Sequence, residues 1–199
     1  MRLFALEHSR AAYRADFALH GTAVTGLLAY LLIATPADHA VRIALITIAG
    51  LLGWTAVEYV LHRFVLHGWP PFQDWHTLHH QRPLALIYAP TLFIACLFAI
   101  AVFLPAWWLM GAGAASAMTL GLLGGYLAYA VTHHATHHWR ARGAWLSQRR
   151  RWHSLHHHGV RPGCYGVTTS FWDHVFGSTV PLRSTTLPQP SPGDVRTAA

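Results

Sequence analysis

Thirteen of the seventeen histidines in this chain fall in two stretches, residues 62–80 and 133–158, and the two stretches repeat one pattern. The first reads HRFVLH from His62 to His67, then HTLHH from His76 to His80. The second reads HHATHH from His133 to His138, then WHSLHHH from Trp152 to His158. Each is a spaced histidine pair followed by H-x-x-H-H, closing on His79-His80 the first time and on His156-His157 the second. Imidazole is the commonest protein ligand for mid-series transition metals, and it binds as the neutral ring held in a fixed orientation. Either stretch makes chemical sense only beside the other, so the fold has to bring them together.

Helical spacing supplies the orientation. Positions i, i+3 and i+4 share a face, so His76, His79 and His80 are expected to converge on one point, as are His153, His156 and His157, and His133 and His137 stand one turn apart. His62 and His67 do not fit. Five residues carry a helix roughly 140° past a full turn, so this pair needs a helix end or a distortion between its members, or its two rings serve different ions. The ten ligand candidates are His62, His67, His76, His79, His80, His133, His137, His153, His156 and His157. Ten imidazoles exceed the four to six ligands of one ion and suit two neighbouring ions. His8, His20 and His39 read as ordinary core or interface residues. His134, His138, His158 and His174 stand beside the motifs, either as supports for the ligand rings or as signs that a motif is shifted by one position.

The rest of the chain is too apolar for a soluble globule. Hydrophobic residues make up 53% and charged residues 11%, with a mean hydropathy of +0.30, and four apolar runs are long enough to cross a hydrocarbon core. They cover residues 17–34, 41–61, 90–110 and 114–131. The third is expected to start near Pro90, since proline is best tolerated in a first helical turn. The fourth is rich in glycine, alanine and serine, which suits either close packing between membrane helices or a permissive lipid-facing helix. Between the second and third runs, Asp74 is expected to cap a short helix that carries His76 to His80. The expected fold is all-α: an integral-membrane bundle of about four transmembrane helices with a histidine-rich helical cap. Residues 1–16 read as a cytoplasmic tail, 17–183 as the membrane domain and 184–199 as a disordered Ser/Thr/Pro-rich tail.

Four spans place the N-terminus, the 62–85 segment and everything after the last span on one side. That side carries every arginine except Arg42, and there is no lysine. The positive-inside rule therefore puts all ten candidate ligands on the cytoplasmic side of a multi-pass protein. The net charge of +7 then reads as interfacial anchoring to anionic lipid, not as a nucleic-acid surface. The two cysteines, Cys96 and Cys164, form no CxxC motif, which argues against a disulfide framework, a thiolate zinc site or an iron–sulfur cluster.

A site at the cytoplasmic ends of a helical bundle is placed to act on an acyl chain or another apolar molecule entering from the bilayer. Iron with dioxygen can attack an unactivated C–H bond, whereas zinc has no redox chemistry to offer, although it could fill the same cage in isolated protein. Glu58 stands one turn before His62, where it could accept the ring N–H, and Asp173 could do the same for a later ligand; an interfacial glutamate and a helix cap are the plainer readings. Trp69, Trp75, Trp139, Trp152 and Trp172 flank the motifs as channel walls or as an interfacial belt.

The motifs EYVLHRFVLH, HTLHH, YAVTHHATHH, WHSLHHH and CYGVTTSFWDHVFGS together resemble the fatty acid hydroxylase/sterol desaturase superfamily of integral-membrane di-metal oxygenases, over roughly residues 54–178. The resemblance implies that all ten candidates bind two iron ions, with Glu58, His134 and Asp173 as supporting groups. It implies oxygen-dependent hydroxylation or desaturation of a lipid, most nearly a fatty-acyl or sphingolipid-like one. Ala130 stands where family members often carry an aspartate, and His134 and His138 double the pair at His133 and His137. Eukaryotic fatty-acid 2-hydroxylases often carry a fused haem domain; with none in these 199 residues, electrons are expected from an external donor, a separate reductase, ferredoxin or cytochrome. HGW after the first pair is similar to carotenoid ring hydroxylases, which is the alternative within the class. The contrasting class is a non-catalytic metal-binding or metal-transporting membrane protein, but a transporter should hold its ligands near the bilayer midplane.

Overall fold

Each apolar run becomes one long helical span, and the computed structural model describes residues 6–180. Helix α1 is Arg10–Ala34, and a tight turn at Ala37–His39 leads into α2, Ala40–Val60. Helix α2 continues without a break as a π-helical segment, Leu61–Leu66. A short α3, Phe72–Gln81, follows. The third span joins α4, Thr91–Leu97, through a π-helical segment, Phe98–Phe103, to α5, Leu104–Met110. Helix α6 is Ala112–His138, α7 is Ala144–His158 and α8 is Phe171–Val175. Among the described residues there is no strand, only an isolated antiparallel bridge between Glu7 and Ile87.

Helix α1 begins seven residues before its apolar run. Ser9 caps it, its hydroxyl accepting from the Ala12 N–H at 3.2 Å, and satisfying an otherwise orphaned donor is what fixes a helix start. Residues just before it are also tied down: His8 donates its N–H to the Leu86 carbonyl and Tyr88 donates to the Leu6 carbonyl. The expected tail at 184–199 lies outside the described residues. At α3 the cap is Pro71, and Asp74 sits inside the first turn, where its charge faces the positive end of the helix dipole. The third span does start after Pro90. Gly111, at φ 81°, makes the turn into α6 that a side chain would disfavour.

Small residues in the fourth span serve close packing. The apolar window of α6 is 61% buried, against 11% in each of the other three spans. A Cβ on Gly50 would lie 2.9 Å from the Met118 carbonyl oxygen, one on Gly121 would overlap the Thr47 carbonyl, and one on Gly125 would overlap the Trp54 side chain. Helices α2 and α6 therefore touch backbone to backbone, the contact that glycine permits inside a bilayer. Around this crossing Trp54 stacks on Phe98 and sets its edge against Tyr126, with Leu123 completing the cluster. A second cluster joins Leu31, Ala117 and Leu120. Leu32, Ile33, Val41, Leu52, Ile100, Trp108 and Leu109 point outward, as lipid-facing residues must in spans whose backbone bonds are all internal.

Four crossings return the functional segments to one end of the bundle. There the Tyr13 hydroxyl of α1 and Nδ1 of His134 on α6 are 2.7 Å apart, and the Tyr13 ring packs edge-on against Tyr88 at 5.0 Å. All ten candidate ligands are at this end.

Candidate metal centre

The ten rings form two groups of five. His62, His67, His76, His80 and His156 make the first; His79, His133, His137, His153 and His157 make the second. Within each group one nitrogen from every ring lies within 4.8 Å of all the others. The five-residue gap between His62 and His67 is closed by the π-helical segment Leu61–Leu66, after which His67 ends the helix. The wider π turn brings residues i and i+5 into register, and the two ring centroids lie 5.3 Å apart.

The H-x-x-H-H motifs behave differently from the expectation that each converges on one point. His76 and His80 enter the first group while His79 enters the second; His153 and His157 enter the second while His156 enters the first. The reason is angular. Seen down a helix, i and i+4 differ by roughly 40°, whereas i+3 and i+4 differ by about 100°. A helix lying between two sites therefore sends i and i+4 to one side and i+3 to the other. Helices α3 and α7 do this in opposite senses, each completing the site that the other mainly builds. The groups abut where the His80 and His157 rings stack at 4.1 Å.

In the first group Nε2 of His76 is 3.0 Å from Nε2 of both His62 and His80, and Nε2 of His156 is 3.1 Å from Nε2 of both His67 and His80. In the second group the Nε2–Nε2 separations are 3.1 Å for His79 and His133, 2.8 Å for His137 and His153, and 3.1 Å for His153 and His157. A neutral imidazole carries one N–H. His62 donates it from Nδ1 to the Tyr165 carbonyl at 2.5 Å, and His156 donates it from Nδ1 to the Gly163 carbonyl at 2.9 Å. Their Nε2 lone pairs are then bare and aimed at their neighbours, an arrangement that a cation relieves. Five ring nitrogens within 4.8 Å of one another could hold one ion in each group. The donor set suits iron, zinc, copper or nickel.

The rings outside the spans are held neutral. Burial, with the mutual repulsion of neighbouring rings, drives His76 well below the usual histidine range and takes His79 to about 3 and His80 to about 4. His153, His156 and His157 are lowered for the same reasons, and His67 by burial. Each group has three buried rings and two half-buried ones, His67 and His80 in the first and His137 and His157 in the second. The half-buried rings form the accessible side.

Neither Glu58 nor Asp173 reaches a ring. Glu58 is 3% exposed and accepts from the Val167 and Thr168 N–H groups and from the Thr168 hydroxyl. Asp173, fully buried, accepts from the Tyr165 and Gly166 N–H groups, the Trp152 indole and the Ser178 hydroxyl. Both carboxylates hold the loop that holds the rings. Sequence reading missed that loop's role, and the signal available was the cluster of small and β-branched residues at 163–170 shortly after the second H-x-x-H-H motif. Arg149 is not an interfacial anchor: it is 4% exposed, donates to the Ser170 hydroxyl, and burial lowers its pKa despite the attraction of Asp173 and Glu58. His134 belongs to neither group and pairs with Tyr13. Trp172 donates to the Thr55 hydroxyl, so it and Trp152 are braces, whereas Trp69 and Trp139 are exposed.

Comparisons with known proteins point the same way. The chain is 35% identical over 152 residues to dihydroceramide fatty acyl 2-hydroxylase FAH2 of Arabidopsis thaliana, an alignment covering 69% of this chain and 61% of the relative. It is 36% identical over 154 residues to ceramide very long chain fatty acid hydroxylase scs7 of Schizosaccharomyces pombe, covering 68% and 42%. The chain thus spans less than two thirds of these relatives' length. Its fold is similar to the solved structure described as full-length scs7p with only the hydroxylase domain visible, at a TM-score of 0.72 and 26% identity, over 85% of this chain and 67% of that one. The family model for fatty acid hydroxylase matches residues 47–178, a stretch that contains all ten paired rings and the loop behind them, and the chain belongs to the fatty acid hydroxylase family.

Proposed function

We propose that this chain is a membrane-bound, O2-dependent lipid hydroxylase in which each five-histidine group binds one iron ion. The observation that carries the reading is the pair of abutting, charge-neutral, all-imidazole groups at one end of four apolar spans. Iron bound there would activate dioxygen against an unactivated C–H bond, with zinc a redox-inert substitute in isolated protein. The protein's part is to hold ten rings in place, to keep them unprotonated and to bury six of them away from water. A transporter reading is disfavoured because the rings sit at the span ends and not at midspan.

Depth argues for the substrate class. Rings at the ends of the spans lie near the boundary of the hydrocarbon core, where the first carbons of an acyl chain are found; mid-chain carbons lie on the order of 10 Å deeper in a core of about 30 Å. A fatty-acyl or ceramide-like chain hydroxylated next to its carbonyl fits this depth, and 2-hydroxylation of a fatty acyl group is what the Arabidopsis relative's name states. The arginines gathered at the histidine-bearing end favour a cytoplasmic location for it, with residues 17–183 as the catalytic membrane domain. A separate redox protein would supply the electrons.

The test is mass spectrometry of membrane lipids from the native host making either the wild type or His156→Ala. One lipid class gaining a single oxygen only with the wild type supports the proposal and names the substrate. A loss of two hydrogens would make it a desaturase, and a ring-hydroxylated carotenoid would move it to that branch. Identical profiles with both proteins folded would refute oxygenase activity.

A further inference from the structure

The two histidine groups are braced unequally. In the first, His62 and His156 put their Nδ1 protons into the carbonyls of Tyr165 and Gly163. Those carbonyls belong to the loop at residues 163–168, which hangs from two buried carboxylates. Asp173 takes the Tyr165 and Gly166 N–H groups at 2.8 Å each, and Glu58 takes those of Val167 and Thr168 at 2.7 and 2.9 Å. The loop has no slack, since a Cβ on Gly166 would overlap the Thr169 carbonyl and lie 2.9 Å from an Asp173 carboxylate oxygen. In the second group Nδ1 of His79, His133, His153 and His157 is buried and finds no acceptor among the described residues. An acceptor on the far nitrogen fixes a ring's orientation and tautomer and raises its basicity as a ligand. Four rings of one site lack that help, and two rings of the other receive it from a rigid loop.

We propose that Glu58 and Asp173 are positioning residues that act through the 163–168 loop to preset the first metal site, so that the two sites bind metal with unequal strength, the first more tightly. The inference rests on reading both groups as metal sites. Glu58 reaches across from α2 and Asp173 up from α8, so the preset site also locks the last helix of the described chain to the second span.

Cobalt(II) titration of the metal-free full chain in detergent, followed by its visible absorption and by competition with a chelator, tests this. The wild type should take up two equivalents in two resolved steps, with His156→Ala abolishing the tighter step and His157→Ala the weaker. Glu58→Gln and Asp173→Asn should weaken the tighter step roughly 10- to 100-fold, the usual effect of removing a ligand's outer partner, and leave the weaker step unchanged. A tighter step as strong in both variants as in the wild type, or an equal loss at both steps, overturns the proposal. Absence of cobalt uptake by the folded wild type would instead refute the metal sites themselves. Should either carboxylate variant not fold, Thr168→Val and Ser178→Ala each remove one donor to the same carboxylates; a smaller loss confined to the tighter step is expected, and no loss overturns the proposal.

Discussion

His156 and His157 are adjacent in sequence and belong to different sites: Nε2 of His156 lies 3.1 Å from Nε2 of His80, whereas Nε2 of His157 lies 3.1 Å from Nε2 of His153. The same division separates His79 from His80. One helix position, about 100° of rotation, decides which site a ring serves.

Single substitutions should therefore lower metal content site by site. His156→Ala or His80→Ala should leave about one ion per chain, and so should His157→Ala or His79→Ala, while His156→Ala combined with His157→Ala should leave almost none. Metal analysis of purified protein against protein concentration checks this. Equal content in all variants would mean that the rings are not ligands.

The α2–α6 crossing should not tolerate a methyl group. Gly121→Ala and Gly125→Ala should each destabilise the protein by about 1–3 kcal/mol, the usual cost of overpacking, with a lower thermal midpoint in detergent. Gly124→Ala, whose added carbon meets nothing within 4 Å, should be neutral or slightly stabilising, because alanine is the better helix former.

Metal-free protein should be acid-sensitive from the neutral side. Unfolded histidines take up protons near pH 6.5, but folded His80 and His79 do so only near 4 and 3. The unfolded state binds more protons over that interval, so stability is full above about pH 6.5 and declines steadily as the pH falls toward those values. Denaturant unfolding of the metal-free chain at pH 8, 6 and 5 should show a falling midpoint; a flat profile would contradict the neutral, buried rings. Bound metal should delay the decline, since protons must then displace it.

Orientation can be read with a thiol reagent that does not cross membranes. In a Cys96→Ser background, Arg142→Cys in sealed cells should be protected and Asp38→Cys labelled, because the first lies at the arginine-rich end and the second in the loop after α1. The reverse pattern would place the histidine groups outside.

Much of this was legible in advance. Hydropathy marked four spans, and spacing marked all ten paired rings as candidates. The mismatch at His62 and His67 left open a helix end, a distortion or two separate ions, and the π-helical segment that ends at His67 supplies the distortion. Crosswise sharing was not legible, because i, i+3 and i+4 lie on one face whether that face meets one site or straddles two. Which it does depends on where α3 and α7 sit relative to α2 and α6. Glu58 and Asp173 were found as residues, but the reading in which each accepts a ring N–H does not hold: Glu58 has the right spacing to His62, yet backbone N–H groups from more than a hundred residues away compete for it and win, and Asp173 is taken by the Tyr165 and Gly166 N–H groups. Arg149 was misread because charge alone does not reveal burial.

The exchanged histidines also bear on how such a chain is made. His80 leaves the ribosome 76 residues before His156, an interval of roughly 4–15 s at ordinary synthesis rates, and through it the first site is one ligand short, while all four partners of His79 are still to come when His79 emerges. Neither half of the chain can finish a cage alone. On the proposed reading, a nascent or truncated chain would thereby be kept from carrying a completed metal pair, and completion of both cages would be a late event that reports the arrival of α7.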